Sequence, residues 1–368
     1  MARRWTREHE DQVKRILALM SREATPFTDM SPEAVKARRQ QGFAAWFRTY
    51  LPHWALCEDA PFHAAADARR NQLGIPVCEC WARGTAKTTR YSITDPLYDI
   101  CNEVVLWRHT GDGSLRYEPA WWGEEQSAVG SKQSAAGGWE RVARLDFIIL
   151  GAKTLDAAAA KADIIRLELK HNARLRCDYG DAIAPSTGDD QETDFEANGC
   201  RVRCIGTGQS LRSAVHNGHR PQKFIGDDLE DKRIARSREQ EEKLRDWLMG
   251  DVFPALEGAG QEAVFRNLCN MYGRHCLAKF FEAQAAESDE QGRPLAEYHV
   301  TPLLTDEGET AWPARYTTAQ VKRAMAIIGS VLARSEYLCK VADELAPFQP
   351  KWFRTFDVRT FEEQQVAA

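Results

Sequence analysis

At 368 residues, 43% of them apolar, the chain is long enough to bury one large core or two moderate ones. Its net charge of -5 argues against a monomeric general-purpose coat for nucleic acid, though not against a ring whose basic residues line one face. There is no run of 18 apolar residues to span a membrane, the N-terminus has no apolar signal segment, and the ten cysteines lack zinc-site spacing, so they read as reduced thiols in a cytoplasm.

Residues 5–20 read as an amphipathic helix carrying Val13, Ile16, Leu17 and Met20. Ser31 as N-cap with Pro32 at the first helical position starts a second helix reaching Tyr50, although Ala34 prevents a full capping box. A loop with Pro52, Pro61 and several aromatics leads to a short strand at 75–81. The helix at 88–100 meets Asp95-Pro96, which marks a bend or an early end. From 108 to 138 Gly, Ser, Glu and Gln dominate around Trp121-Trp122, and the stretch reads as a long loop insertion. A buried strand at 145–150, a helix at 155–172, a polar turn-rich segment at 181–198, and strands at 202–205 and 223–225 follow. A helix at 240–249, a strand at 263–269, and helices at 277–286 and 317–333 complete the pattern. Strands alternating with helices imply an α/β fold, a mostly parallel central sheet with helices on both faces.

Two segments carry chemistry. Trp-Ala-Arg-Gly-Thr-Ala-Lys-Thr-Thr (81–89) follows a strand pattern and opens a helix. It departs from the pattern G-x-x-x-x-G-K-[ST], because Trp81 and Ala86 stand at the glycine positions and only Lys87 and Thr88 match. Backbone amides at such a turn still bind anions when the loop can take the shape. Lys87 then meets the β- and γ-phosphates of an NTP, Thr88 ligates Mg²⁺, and Arg83 reaches the γ-phosphate in cis. Taken alone, the segment also fits an ordinary basic loop.

The second segment, Lys-Phe-Ile-Gly-Asp-Asp-Leu-Glu-Asp (223–231), ends an apolar strand in carboxylates at the ligand-binding edge of the sheet. Asp227 is the candidate Mg²⁺ carboxylate. Asp228 orients or deprotonates the attacking water, with Glu230 competing for that role. A solvated acidic turn is the alternative for this stretch by itself.

The chain resembles the large subunit of tailed-bacteriophage DNA-packaging terminases over roughly residues 40–355. Residues 82–89 resemble that family's arginine-containing phosphate loop, and the segments 47–53 and 61–63 resemble what precedes its ATPase core. Gly-Gln-Ser-Leu-Arg-Ser (208–213), continuing through 220–231, is the most specific stretch, and Asn-Met-Tyr-Gly-Arg-His (270–275) is similar to the coupling motif. The resemblance implies a P-loop NTPase of the ASCE/RecA-like kind. It would have an N-terminal helical segment (1–60), an ATPase core (61–310), and a small lid with a linker (311–368). It implies that Gly84, Thr85, Ala86 and Thr89 join Arg83, Lys87 and Thr88 around the nucleotide, and that Asn270 senses the γ-phosphate. Arg212 and Arg220 are the candidates for an arginine finger offered in trans. The adenine would lie near residues 47–63, where core packing is the other explanation of the aromatics.

By the same resemblance, the activity is ATP hydrolysis driving double-stranded DNA into a viral procapsid. The partners would be DNA, a portal protein, a small terminase subunit and copies of itself in a ring, pentameric on the portal and monomeric in isolation. No membrane is involved, and the place of action is the host cytoplasm, transiently at the portal and not in the mature virion. Residues 351–357 look like the linker into the family's nuclease domain, and no acidic cluster for a two-metal nuclease follows, so nuclease activity is not expected. Another nucleic-acid-dependent P-loop ATPase, such as a helicase, and a catalytically weak nucleotide-binding docking module remain the alternatives. DNA contacts are expected among Arg201, Arg203, Arg212, Arg220 and Lys223, with a solvated strand edge as the other reading.

Overall fold

The structure is a computed structural model that describes residues 7–123, 138–186 and 192–341. Among the described residues ten strands form: β1 (Val77–Trp81), β2 (Val105–His109), β3 (Leu115–Glu118), β4 (Trp139–Arg144), β5 (Phe147–Ala152), β6 (Asp194–Ala197), β7 (Cys200–Gly206), β8 (Lys223–Asp227), β9 (Val264–Cys269) and β10 (Glu297–Thr301). Seven make the central sheet in the order β10-β1-β9-β8-β5-β7-β6, and β3-β2-β4 make a small separate sheet. Every neighbouring pair of the central sheet is parallel except β6 with β7. One strand, β9, therefore separates β1, which leads into residues 82–89, from β8, which ends in Asp227.

Alternation along β5 divides the core in two. Ile148 and Leu150 pack with Trp46, Tyr91, Leu97, Ala158 and Ile165 on one face. Phe147 and Ile149 pack with Phe224, Trp247, Phe265, Leu277 and Phe281 on the other. Each face is thus covered by helices, and each fully buried side chain of this size contributes about 1.5–3 kcal/mol of transfer free energy. Helix Leu155–His171, N-capped by the Thr154 hydroxyl accepting from Ala157 N–H, covers the first face. Val321 of Thr318–Ile328 and Ala333 of Ser330–Glu336 are buried, and Val321 joins the second core.

Several expectations change in detail. The helix begun at Ser31 is two helices, Pro32–Arg39 and Phe43–Tyr50, with Ser31 accepting from Ala34 N–H as read. Pro96 does not stop its helix. Thr88–Thr94 is wound as a π-helix, with Asp95 N–H reaching back to Arg90 O, and Asp95–Cys101 continues as α-helix. A wide turn moves the carbonyl that a proline ring would strike. The 108–138 insertion contains β3, paired with β2, so its described part is not all loop; residues 124–137 lie outside the described residues. The helix expected over 317–333 is interrupted by Gly329 at φ +82°. Lys223 is not a DNA contact: its side chain is fully buried, with Nζ 2.7 Å from Asp95 Oδ2 and 2.6 Å from Asp99 Oδ2. A buried ammonium needs such counter-charges. The expected linker at 351–357 lies outside the described residues. No helix among the described residues is long and apolar enough to cross a membrane.

Candidate active site

Lys87, Asn270 and Asp227–Asp228 follow or end three adjacent strands, β1, β9 and β8, whose parallel direction brings all their carboxyl ends to one edge. Lys87 Nζ lies 2.8 Å from Asn270 Oδ1 and 3.2 Å from Asp228 Oδ1. The lysine is buried, yet the neighbouring Asp228 and Asp227 carboxylates outweigh burial and raise its pKa. It stays an ammonium, the form that meets a phosphate.

The loop before it is held at its ends and open in its middle. Ala82 N–H donates to Thr301 O at 2.9 Å and Arg83 N–H to Glu336 O at 2.7 Å, whereas the amides of Gly84, Thr85, Ala86 and Lys87 donate to no backbone carbonyl. Gly84 and Ala86 are both left-handed, at φ +85° and +65°. Ala86 thus takes a left-handed backbone of the kind that favours glycine, at the cost an L-residue pays there. The outer side of the loop is clamped: the Thr85 hydroxyl donates to Ala82 O at 2.6 Å, His63 Nε2 lies 3.1 Å from Thr85 O, and Tyr316 OH donates to Gly84 O at 3.1 Å. Burial among aromatic rings lowers the His63 pKa to about 4, so the ring is neutral at neutral pH. Open amides at a left-handed turn before a helix make an anion cradle.

Asp227 is 1% exposed. Its Oδ2 accepts from Ser92 Oγ at 2.8 Å and lies 3.0 Å from Lys161 Nζ, while Oδ1 is buried without a hydrogen-bond partner. Burial alone would raise its pKa, but Lys161, then Lys87, and the Thr88 hydroxyl beside it hold it below the usual carboxylate range. An ionised, buried and unpaired oxygen next to a hydroxyl at the mouth of an anion cradle fits a Mg²⁺ ion carried in by phosphates. Among the described residues no group of three or more His, Cys, Asp or Glu side chains could hold a metal ion.

The remaining candidates are spread. Asp228 sits at φ +54° with a half-exposed carboxylate on Lys87. Glu230 is buried, accepts from Leu277 N–H at 3.0 Å at the start of helix Leu277–Ala285, and leaves Oε2 without a partner. Burial pushes its carboxyl up to about 8. Arg83 is exposed at the rim, 3.0 Å from Glu336 Oε2, and Thr88 and Thr89 begin the wide helical turn. Arg212 is exposed and bound to Asp251. Exposed Arg220 precedes the amino end of β8, on the edge of the sheet opposite Lys87. Of the basic stretch, Arg201 pairs with Asp194. A narrow cavity between Trp54, Cys57, His63, Ala86, Trp312 and Arg315 adjoins the loop, where residues 47–63 were expected to meet adenine. A cleft of about 980 Å³ lies away from Lys87, between Arg70, Tyr98, Tyr117, Trp121 and Trp139.

Ser92, Lys161 and Tyr316 were not foreseen, and His63 was read only within the segments 61–63 and 47–63, not as a clamp on the loop. Only Lys161 left a trace in the sequence, as a cation within the alanine-rich, sheet-facing stripe of Ala158, Ala162 and Ile165.

A structural comparison finds the ATPase domain of the large terminase of Thermus phage P74-26, in a mutant form, with TM-score 0.43 and 11% identity over 76% of this chain and 94% of that one. No protein-family model matches the sequence. No curated protein matches it either.

Proposed function

We propose that this chain is the ATP-hydrolysing motor subunit of a viral terminase, coupling turnover to movement of double-stranded DNA into a procapsid. The observation that carries the ATPase part is the junction of Lys87, Asn270, Asp227 and Asp228 at three adjacent strand ends, beneath a loop with four open amides. The packaging part rests on the resemblance of residues 208–231 and 270–275 to that family.

In this reading the amides of residues 84–87 and the Lys87 ammonium bind and orient the phosphates. Thr88 and Asp227 Oδ1 hold Mg²⁺, which when bound neutralises charge on the transferring phosphoryl group. Asp228, rather than Glu230, orients the attacking water, because its carboxylate reaches Lys87 and solvent whereas Glu230 is committed to a helix start. Asn270, sharing Lys87 with the phosphates, reports their presence to β9. Arg83 meets the γ-phosphate from the rim, and Arg212 or Arg220 of a neighbouring copy completes the charge. The adenine would lie against residues 47–63 outside the cavity at Ala86, whose volume of about 20 Å³ holds no more than a water molecule. DNA, a portal protein, a small terminase subunit and further copies in a ring are the partners, in the host cytoplasm.

ATP turnover with and without double-stranded DNA tests this in wild type and Lys87→Ala. DNA-stimulated turnover, lowered at least 100-fold by the substitution, is expected. Equal, negligible turnover in both proteins would sink the ATPase reading. Turnover accompanied by strand unwinding would favour a helicase instead.

A further inference from the structure

The site contains a cation that phosphate binding does not require. Lys161 reaches from helix Leu155–His171 to the back of Asp227, its Nζ 3.0 Å from Oδ2 and 2.9 Å from the main-chain carbonyl oxygen of the same residue. Ser92 Oγ also donates to Oδ2, at 2.8 Å. Both contacts engage one side of the carboxylate and leave Oδ1 unpaired. The Lys161 side chain is 15% exposed and that of Asp227 1%, so solvent screens the pair poorly.

A buried carboxylate needs a counter-charge at all times. Lys87 cannot give all of its charge to Asp227, since its ammonium contacts Asp228 and Asn270 and faces the cradle. Lys161 is free of such duties and is tethered twice to Asp227 itself. We propose that Lys161 keeps Asp227 charge-balanced while the site is empty, so that a divalent cation enters only together with the phosphates it neutralises. This rests on the ATPase reading of the same site. Lys161 is then a positioning residue that sets the metal affinity of the empty protein. A fixed positive charge behind the metal carboxylate weakens cation binding on the order of tenfold.

Manganese binding to the nucleotide-free protein, followed by the EPR signal of free Mn²⁺, reads this directly in wild type, Lys161→Met, Lys161→Gln and Lys161→Arg. The glutamine variant keeps a donor for the Asp227 carbonyl, so a folded neutral variant remains available should the methionine variant unfold. The neutral variants should bind Mn²⁺ at least fivefold more tightly than wild type, and Lys161→Arg within twofold of it. Adding Asp227→Asn to Lys161→Gln should abolish the gain. A prop that merely supports the helix would leave Mn²⁺ affinity unchanged or lower it, and either result overturns the inference. If wild type binds Mn²⁺·ATP while the neutral variants show no gain, the inference alone fails. If wild type does not bind Mn²⁺·ATP, the ATPase reading falls with it.

Discussion

Glu230→Gln should stabilise the protein, and increasingly so as pH rises. Glu230 is 2% exposed, with one carboxyl oxygen on Leu277 N–H at 3.0 Å and the other buried without a partner. Burial is the largest influence and lifts its pKa from 4.5 to about 8, with Glu241, Cys80 and Asp228 acting in the same direction and the Leu277 amide against it. Between those two values the folded chain keeps a proton that the unfolded chain has released. Stability therefore falls as pH climbs from the unfolded pKa towards the folded one, then levels off. One proton gives at most about 1.4 kcal/mol per pH unit, so from pH 5 to 8 the loss is on the order of 2–4 kcal/mol. Glutamine keeps an acceptor for Leu277 and removes the titration. Urea unfolding at pH 5, 6, 7 and 8 should show a variant-minus-wild-type difference that starts small and widens steadily. A difference independent of pH, or a variant less stable than wild type at pH 8, would refute the reasoning.

Other expectations concern the loop and the chemistry. Asp228→Asn should lower kcat for ATP by about 10²-fold or more while changing nucleotide affinity less than about threefold; an equal loss in a fluorescent-nucleotide titration would show that Asp228 binds rather than acts. Gly84→Ala should cost about 1–2 kcal/mol in thermal unfolding, because its φ is +85° and its new methyl would lie 2.8 Å from the Tyr316 hydroxyl oxygen. Adding Tyr316→Phe should relieve the contact but not the backbone, so full recovery in the double variant would contradict the left-handed turn.

What the sequence made legible was the position of two central strands and of the charged residues at their ends. β1 and β8 stand out because each is short, apolar and followed by charge, and their burial on both faces explains the absence of alternation. β10 escaped notice because Glu-Tyr-His-Val-Thr, at the sheet edge, looks like any half-polar segment. β3 and β4 escaped because pairing partners, not intrinsic apolarity, make them strands, whereas β2, Val-Leu-Trp-Arg-His, is an apolar run that was passed over beside the insertion. In the loop, Ala86 breaks the glycine pattern while its backbone at φ +65° is of the left-handed kind that favours glycine, a fact no residue count can reveal. Lys161 and Ser92 meet Asp227 only through tertiary packing, from 66 and 135 residues away in the chain.

The wide turn from Thr88 to Thr94 imposes a counting rule on this part of the gene. Asp95 N–H reaches back five residues, and Ser92, inside that turn, meets Asp227. Deleting one codon between Lys87 and Pro96 would restore ordinary helical spacing, bring the proline ring against a carbonyl, and swing the side chain at this point about 100° around the helix. Substitutions along the turn can be absorbed one at a time, but a change of length cannot. Between Lys87 and Pro96, the spacing of residues is therefore under tighter constraint than most of their identities.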